Sequence, residues 1–204
     1  RIMPNKAAVA GNLTGSKRAY VAAAADVAGI LLDKNTPAKQ RRAHLVKLTQ
    51  STEGRDRAMP LPRGQGKEGY QRRMACEALR VIGDASVLSA LEALANDSFG
   101  DHDDSFDMKA VARVAFDVWW GIRSAKLKEA EKLPVLVGVL RLGEPYWSRW
   151  CDAACDLLED AGPKAVPLLI PVAKGDDRRA KLWALRTLRQ ERGKEAVRTI
   201  IEVC

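Results

Sequence analysis

Apolar residues along most of this chain recur every three to four positions, the period of an α-helix that buries one side. The pattern is clearest from Arg72 to Asp97, RRMACEALRVIGDASVLSALEALAND. There Ala75, Ala78, Leu79 and Ile82 share one helical face, and Val87, Leu88, Leu91, Leu94 and Ala95 share the next. Gly83 between them is expected to take the left-handed conformation that ends a helix, and Asp84 to cap the helix that follows. Neither short helix can bury its stripe alone, so the pair requires neighbours.

The rest of the chain supplies them. Arg1 to Ser16 contains Pro4, Gly11 and Gly15 without a strong period and reads as an arm. Ser16 then opens a helix reaching about Leu32, with Val27 and Leu31 inward. Thr36-Pro37 predicts the next start, a capping hydroxyl before a first-turn proline. That helix carries Ala38, Leu45, Val46 and Leu48 and ends near Gln50. Residues 51–68 form a long connection rich in proline, glycine and charge. After the acidic stretch Asn96 to Asp107, with Asp107 as the expected cap, a helix from Met108 to Trp120 buries Val111, Ala112, Val114, Ala115, Val118 and Trp119. Its partner from Ser124 to Leu142 turns Leu133, Leu136, Val137 and Leu140 inward, with Pro134 expected to kink or split it.

Tyr146 to Glu159 begins a further pair, with Trp150, Ala154, Leu157 and Leu158 on its stripe and a restart at Gly162-Pro163. Ala75, Leu79 and Val87 correspond to Ala154, Leu158 and Val166 at one constant offset, which is evidence of internal repetition. Asp176-Asp177 cap a helix with Leu182, Trp183, Leu185 and Leu188 apolar. Gly193 separates it from a last helix holding Ala196, Val197, Ile200 and Ile201.

These units resemble HEAT repeats of the short, phycobilisome-lyase type. The resemblance rests on A-x-x-A-L at Ala75 to Leu79, the Ile82-Gly83-Asp84 turn, the Val87 to Leu91 spacing after it and Ala165 to Leu169. It covers about Gly69 to Cys204, with Lys17 to Gln50 as a degenerate pair; the longer unit at Met108 to Leu142 departs from the pattern. The resemblance implies an all-α solenoid of stacked antiparallel helix pairs over residues 17–204, preceded by the arm at 1–16. Such a solenoid exposes a curved surface that binds protein or nucleic acid.

Composition narrows the chemistry. Alanine-rich and leucine-rich sequence with only 5% aromatic residues favours helices over strands. The 34 basic and 26 acidic residues leave a net charge of +8, which permits a nucleic acid, an anionic membrane surface or an acidic protein as partner. No apolar run approaches the roughly 20 residues of a membrane span. Cys76, Cys151, Cys155 and Cys204 read as reduced thiols, and the spacing of Cys151 and Cys155 disfavours a disulfide between them. A cytoplasmic location is favoured. Because the chain begins at Arg1, an export signal ahead of it stays open, as does the oligomeric state.

Enzymatic readings find little support. Gly64-Gln65-Gly66-Lys67 lacks the first glycine of a phosphate loop, since residue 61 is Leu61, and Glu68 replaces the Mg²⁺-binding hydroxyl. The acidic stretch at 96–107 is out of register for an EF-hand. His44 and His102 do not form the His-Glu pairs of the di-iron HEAT hydroxylases. Asp117, Trp119 and Trp120 thinly echo the HEAT-like alkylpurine DNA glycosylases, although Gly121 follows where an acid would stand. No catalytic set, metal site or cofactor is expected.

Basic doublets are more suggestive. Arg41-Arg42, Arg72-Arg73 and Arg178-Arg179 each stand near the start of a predicted helix, and Arg179, Trp183 and Arg186 share one face. Stacked in register, such residues could form a ridge that contacts phosphates and stacks on bases. The sequence therefore leads to a non-catalytic scaffold for protein–protein interaction, with nucleic-acid binding as the alternative.

Overall fold

The computed structural model describes residues 15–50, 67–94, 111–142 and 149–204. These residues are all-helical, with no strand among them, and their helices associate in packed pairs. The chain gathers into two compact units, Arg1–Val118 and Trp119–Cys204. Residues 1–14 of the expected arm, most of the 51–68 connection, the acidic stretch with its Asp107 cap, and Tyr146 lie outside the described residues, while Gly15 and Ser16 already belong to the first helix.

The first unit contains α1 (Gly15–Leu32), α2 (Ala38–Thr49), α3 (Lys67–Ile82), a 3-10 turn (Ala85–Val87) and α4 (Leu88–Glu92). Helix α3 packs against both α1 and α2, which also touch each other. Its Tyr70, Ala75, Cys76, Ala78 and Leu79 are buried, as are Ala23 and Val27 of α1 and Leu45 of α2. Tyr20 and Tyr70 meet edge to face at 5.5 Å. Helix α5 (Val111–Ser124) buries Val111, Ala112, Val114, Ala115, Phe116, Val118 and Trp119, as its period dictates. It continues past Val118 into the second unit.

The second unit contains α6 (Glu129–Val139), α7 (Arg149–Asp160), a 3-10 turn (Gly162–Lys164), α8 (Val166–Lys174), α9 (Arg178–Gln190) and α10 (Lys194–Val203). Helix α6 packs on α7 and α8, α7 on α9, α8 on α9 and α10, and α9 on α10. Trp119 and Trp150 stack at a tilt, 5.1 Å apart, in a core that includes Leu136, Leu158, Leu169 and Leu188.

Helix boundaries follow local chemistry. Asp84 accepts from the Ser86 N–H, and Asp177 from the N–H groups of Arg179 and Ala180, so both cap as expected. Thr36 does not. Its hydroxyl donates to Asp33 at 2.6 Å, and Pro37, with no side-chain cap, occupies the N-cap position of α2. Gly83 is not left-handed; among the described residues only Gly162, at φ 58°, has positive φ. At Gly83 the Asp84 side chain turns the chain instead, so no left-handed residue is needed. Helix α6 runs unbroken through Pro134, the sixth of its eleven residues, where the proline removes one backbone donor without splitting the helix.

Several apolar positions expected inside are outside. Ala38 is exposed at the start of α2. Leu182 is 52% exposed on α9, and Val197 and Ile201 are exposed on α10, Ile201 at 74%. Ala38 stands at the open end of α2, Leu182 lies on the face of α9 opposite its buried residues, and Val197 and Ile201 flank the buried line of Ala196 and Thr199.

Candidate interaction surface

The first unit places its arginines against helix ends. The last carbonyls of a helix have no intrahelical donor and carry partial negative charge, so a guanidinium there both bonds and neutralises. Arg41 Nη1 donates to the Leu31 carbonyl of α1 at 2.6 Å. Arg42 Nη1 donates to the Ile82 carbonyl of α3 at 3.3 Å, while its Nη2 lies 3.1 Å from Asp84 Oδ2. Arg72 is only 3% exposed, and its Nε donates to the Thr49 carbonyl of α2 at 2.9 Å. These three side chains therefore clasp the C-terminal ends of α1, α3 and α2. Arg73, beside Arg72, stays half-buried.

In the second unit the face of α9 turned away from its core carries Arg178, Leu182, Arg186 and Arg189, with Arg179 at its margin. Arg178, Arg179 and Arg189 are exposed, and Arg178 and Arg189 hold no ion pair among the described residues. Trp183 is buried, so its ring supports the helix rather than offering a platform to solvent. Arg186 lies 5.2 Å from the centre of that ring, and its Nη1 reaches Asp152 Oδ1 at 2.7 Å.

Asp152 belongs to α7, whose outer face carries Asp152, Asp156, Glu159 and Asp160, spaced as one helical stripe. The Arg186–Asp152 bridge joins this acidic stripe to the basic stripe of α9. Partial burial opposes the Arg186 charge, but the Asp152 hydrogen bond and carboxylate outweigh it and raise its pKa. Burial is also the main reason the Glu159 carboxyl sits above the usual glutamate range; Arg186 pulls it down, and Asp156, Asp152 and Asp160 push it up. The D-x-x-x-D-x-x-E-D spacing is legible in the sequence, but only the packing of α7 beside α9 sets it against the basic stripe.

The remaining candidates have structural places. None of the four cysteines is in a disulfide; Cys76, Cys151 and Cys155 are buried and Cys204 is exposed. Burial is the main cause that pushes the Cys155 thiol up to about 12, so it remains protonated near neutrality. Asp117 lies 3.4 Å from Arg113 one turn away, and Trp119 is buried against Trp150. Among the described residues no group of three or more His, Cys, Asp and Glu is arranged to hold a metal ion, and no helix is long and apolar enough to cross a membrane.

Comparisons with protein-family models, with curated proteins and with solved structures find no match to this chain. The functional reading therefore rests on the geometry above.

Proposed function

We propose that this chain is a non-catalytic helical-repeat scaffold of HEAT-like type that binds a protein partner through the joined outer faces of α7 and α9. The solenoid reading draws support from the second unit, where α6, α7 and α8 contact the helix two places along as well as helices adjacent in sequence. That is the contact pattern stacked helix pairs generate. The repeated positions agree: Ala75, Leu79 and Val87 are buried, and so are Ala154, Leu158 and Val166. In both units a 3-10 turn follows the first helix of the pair.

The observation that carries the functional reading is the charge of the α7–α9 face. Arg178, Arg179 and Arg189 favour an anionic ligand, and on their own they would suit a phosphate backbone. Alongside them, however, stand Asp152, Asp156, Glu159 and Asp160, which repel phosphate, and exposed Leu182, which gains by apolar burial. Mixed charge around an apolar centre is the composition of a protein-binding surface.

A fluorescence-anisotropy titration with labelled duplex DNA and single-stranded RNA, from about 50 to 200 mM salt, tests this directly. The expected result is no binding even at the lowest salt. Affinity that falls steeply and linearly with the logarithm of salt concentration would replace the scaffold with a nucleic-acid-binding protein.

A further inference from the structure

We propose that the partner of the α7–α9 face is a second copy of this chain, in a two-fold dimer whose axis runs along these helices. The inference rests on reading that face as a protein-binding surface. Its starting point is the direction of the two helices. Cys155 Sγ of α7 lies 3.9 Å from the Trp183 carbonyl of α9. Gly162, just beyond α7, lies beside Glu191, just beyond α9, whose Oε1 is 3.9 Å from where a glycine Cβ would stand. From Cys155–Trp183 to Gly162–Glu191 the contacts advance together, so α7 and α9 run the same way, and the long Arg186 side chain reaches back along its helix to Asp152. Their outer stripes are then parallel, one acidic and one basic, with the Arg186–Asp152 bridge marking the seam.

A surface built this way is complementary to itself under one symmetry operation. Rotation by half a turn about an axis lying along the seam sets the α7 of one copy over the α9 of the other and keeps every residue at its own height. An axis across the helices would instead set acid on acid and base on base. At the rise of an α-helix, about 1.5 Å per residue, Glu159 and Asp160 stand level with Arg189, and Asp156 with Arg186. In the dimer Arg189 therefore meets Glu159 and Asp160 of the second copy, twice over, as an isologous interface requires. Leu182 supplies the apolar centre. At the opposite end Arg149 is level with Arg179, a like-charge pair that opposes association there and that the Arg189 pairs must outweigh.

Charge complementarity also selects the occupant. An acidic protein would satisfy α9 and be repelled by α7, and a basic one the reverse. A second copy carries both stripes at the same spacing and needs no adjustment.

Sedimentation equilibrium of the full chain over about 10 µM to 1 mM tests the proposal, in roughly 50 mM and 500 mM salt, where the screening length falls several-fold. The expected mass rises from 22.4 kDa toward twice that value with concentration at low salt, and returns to the monomer at high salt. Arg189→Glu and Glu159→Lys should each weaken self-association at least tenfold while leaving the far-UV circular dichroism unchanged. An equimolar mixture of the two variants should form a heterodimer, because both pairs are then opposite in charge. A mass of one chain at every concentration overturns the proposal, as does a dimer indifferent to both variants, or a mixture that fails to associate when the unaltered chain does. A monomer that also ignores DNA and RNA removes the second copy alone; salt-steep nucleic-acid binding removes the scaffold reading with it.

Discussion

Arg72→Ala should destabilise the first unit strongly, although arginine is a residue normally left on the surface. Its Nε donates to the Thr49 carbonyl at 2.9 Å, and both residues are buried, so water cannot replace the lost donor. A hydrogen bond from a charged donor contributes about 1.5–3 kcal/mol, and a buried carbonyl left without it costs a similar amount. These are two measures of one lost bond rather than additive terms, and with the packed aliphatic stem they put the cost at about 3 kcal/mol in all. At a urea m value of about 1.5 kcal/mol/M, the midpoint falls by about 2 M. Equilibrium unfolding followed by far-UV circular dichroism measures the shift. Arg72→Lys should fall between, because an ammonium keeps the charge but cannot reproduce the planar donor. Arg73→Ala, half-buried next to it, should cost no more than about 0.5 kcal/mol. If the two alanine variants unfold at the same midpoint, the clasp does not stabilise the fold.

Further expectations follow from single residues. Gly162→Ala forces a side chain into positive φ, with no clash beyond Glu191 at 3.9 Å, and should cost about 1–2 kcal/mol in thermal unfolding; an unchanged midpoint would mean that the turn relaxes freely. In the native chain a thiol reagent at pH 8 should modify Cys204 rapidly and Cys155 only on unfolding, since the first is exposed and the second buried and protonated; a second fast thiol counts against this. The Glu202 carboxyl is held below its ordinary range by hydrogen bonds from Lys174 and Arg198. Its contribution is therefore present above the ordinary glutamate range and lost as pH falls through the lowered value. Glu202→Gln should be slightly less stable than the unaltered chain at pH 6 and equal to it near pH 2, and a gap that persists in acid would contradict the linkage.

Much of the fold is legible from local pattern alone. The α5 stripe from Val111 to Trp119 is buried as its spacing requires, and Asp84 and Asp177 cap helices because capping involves atoms only two or three residues apart. Where local pattern misleads, the missing information is a partner. Leu182 is as apolar as Leu185 three residues on, yet it lies opposite the buried residues of α9 and, among the described residues, stays exposed. The left-handed glycine is Gly162 rather than Gly83 because the two turns are closed differently, one by an aspartate side chain and one by a proline-led 3-10 turn.

The arginine doublets show the division most plainly. As sequence, Arg41-Arg42, Arg72-Arg73 and Arg178-Arg179 are equivalent, each a pair of charges near a helix start. Tertiary structure divides them, since Arg42 reaches a carbonyl 40 residues away and Arg72 one 23 residues away, while Arg178 is exposed and, among the described residues, without an ion pair. Helix period, caps and charge count are properties of neighbours along the chain, so the sequence alone determined them. Whether a cation meets solvent, a carboxylate or the open end of another helix depends on which segments pack together, and packing is decided only when the apolar stripes choose their partners.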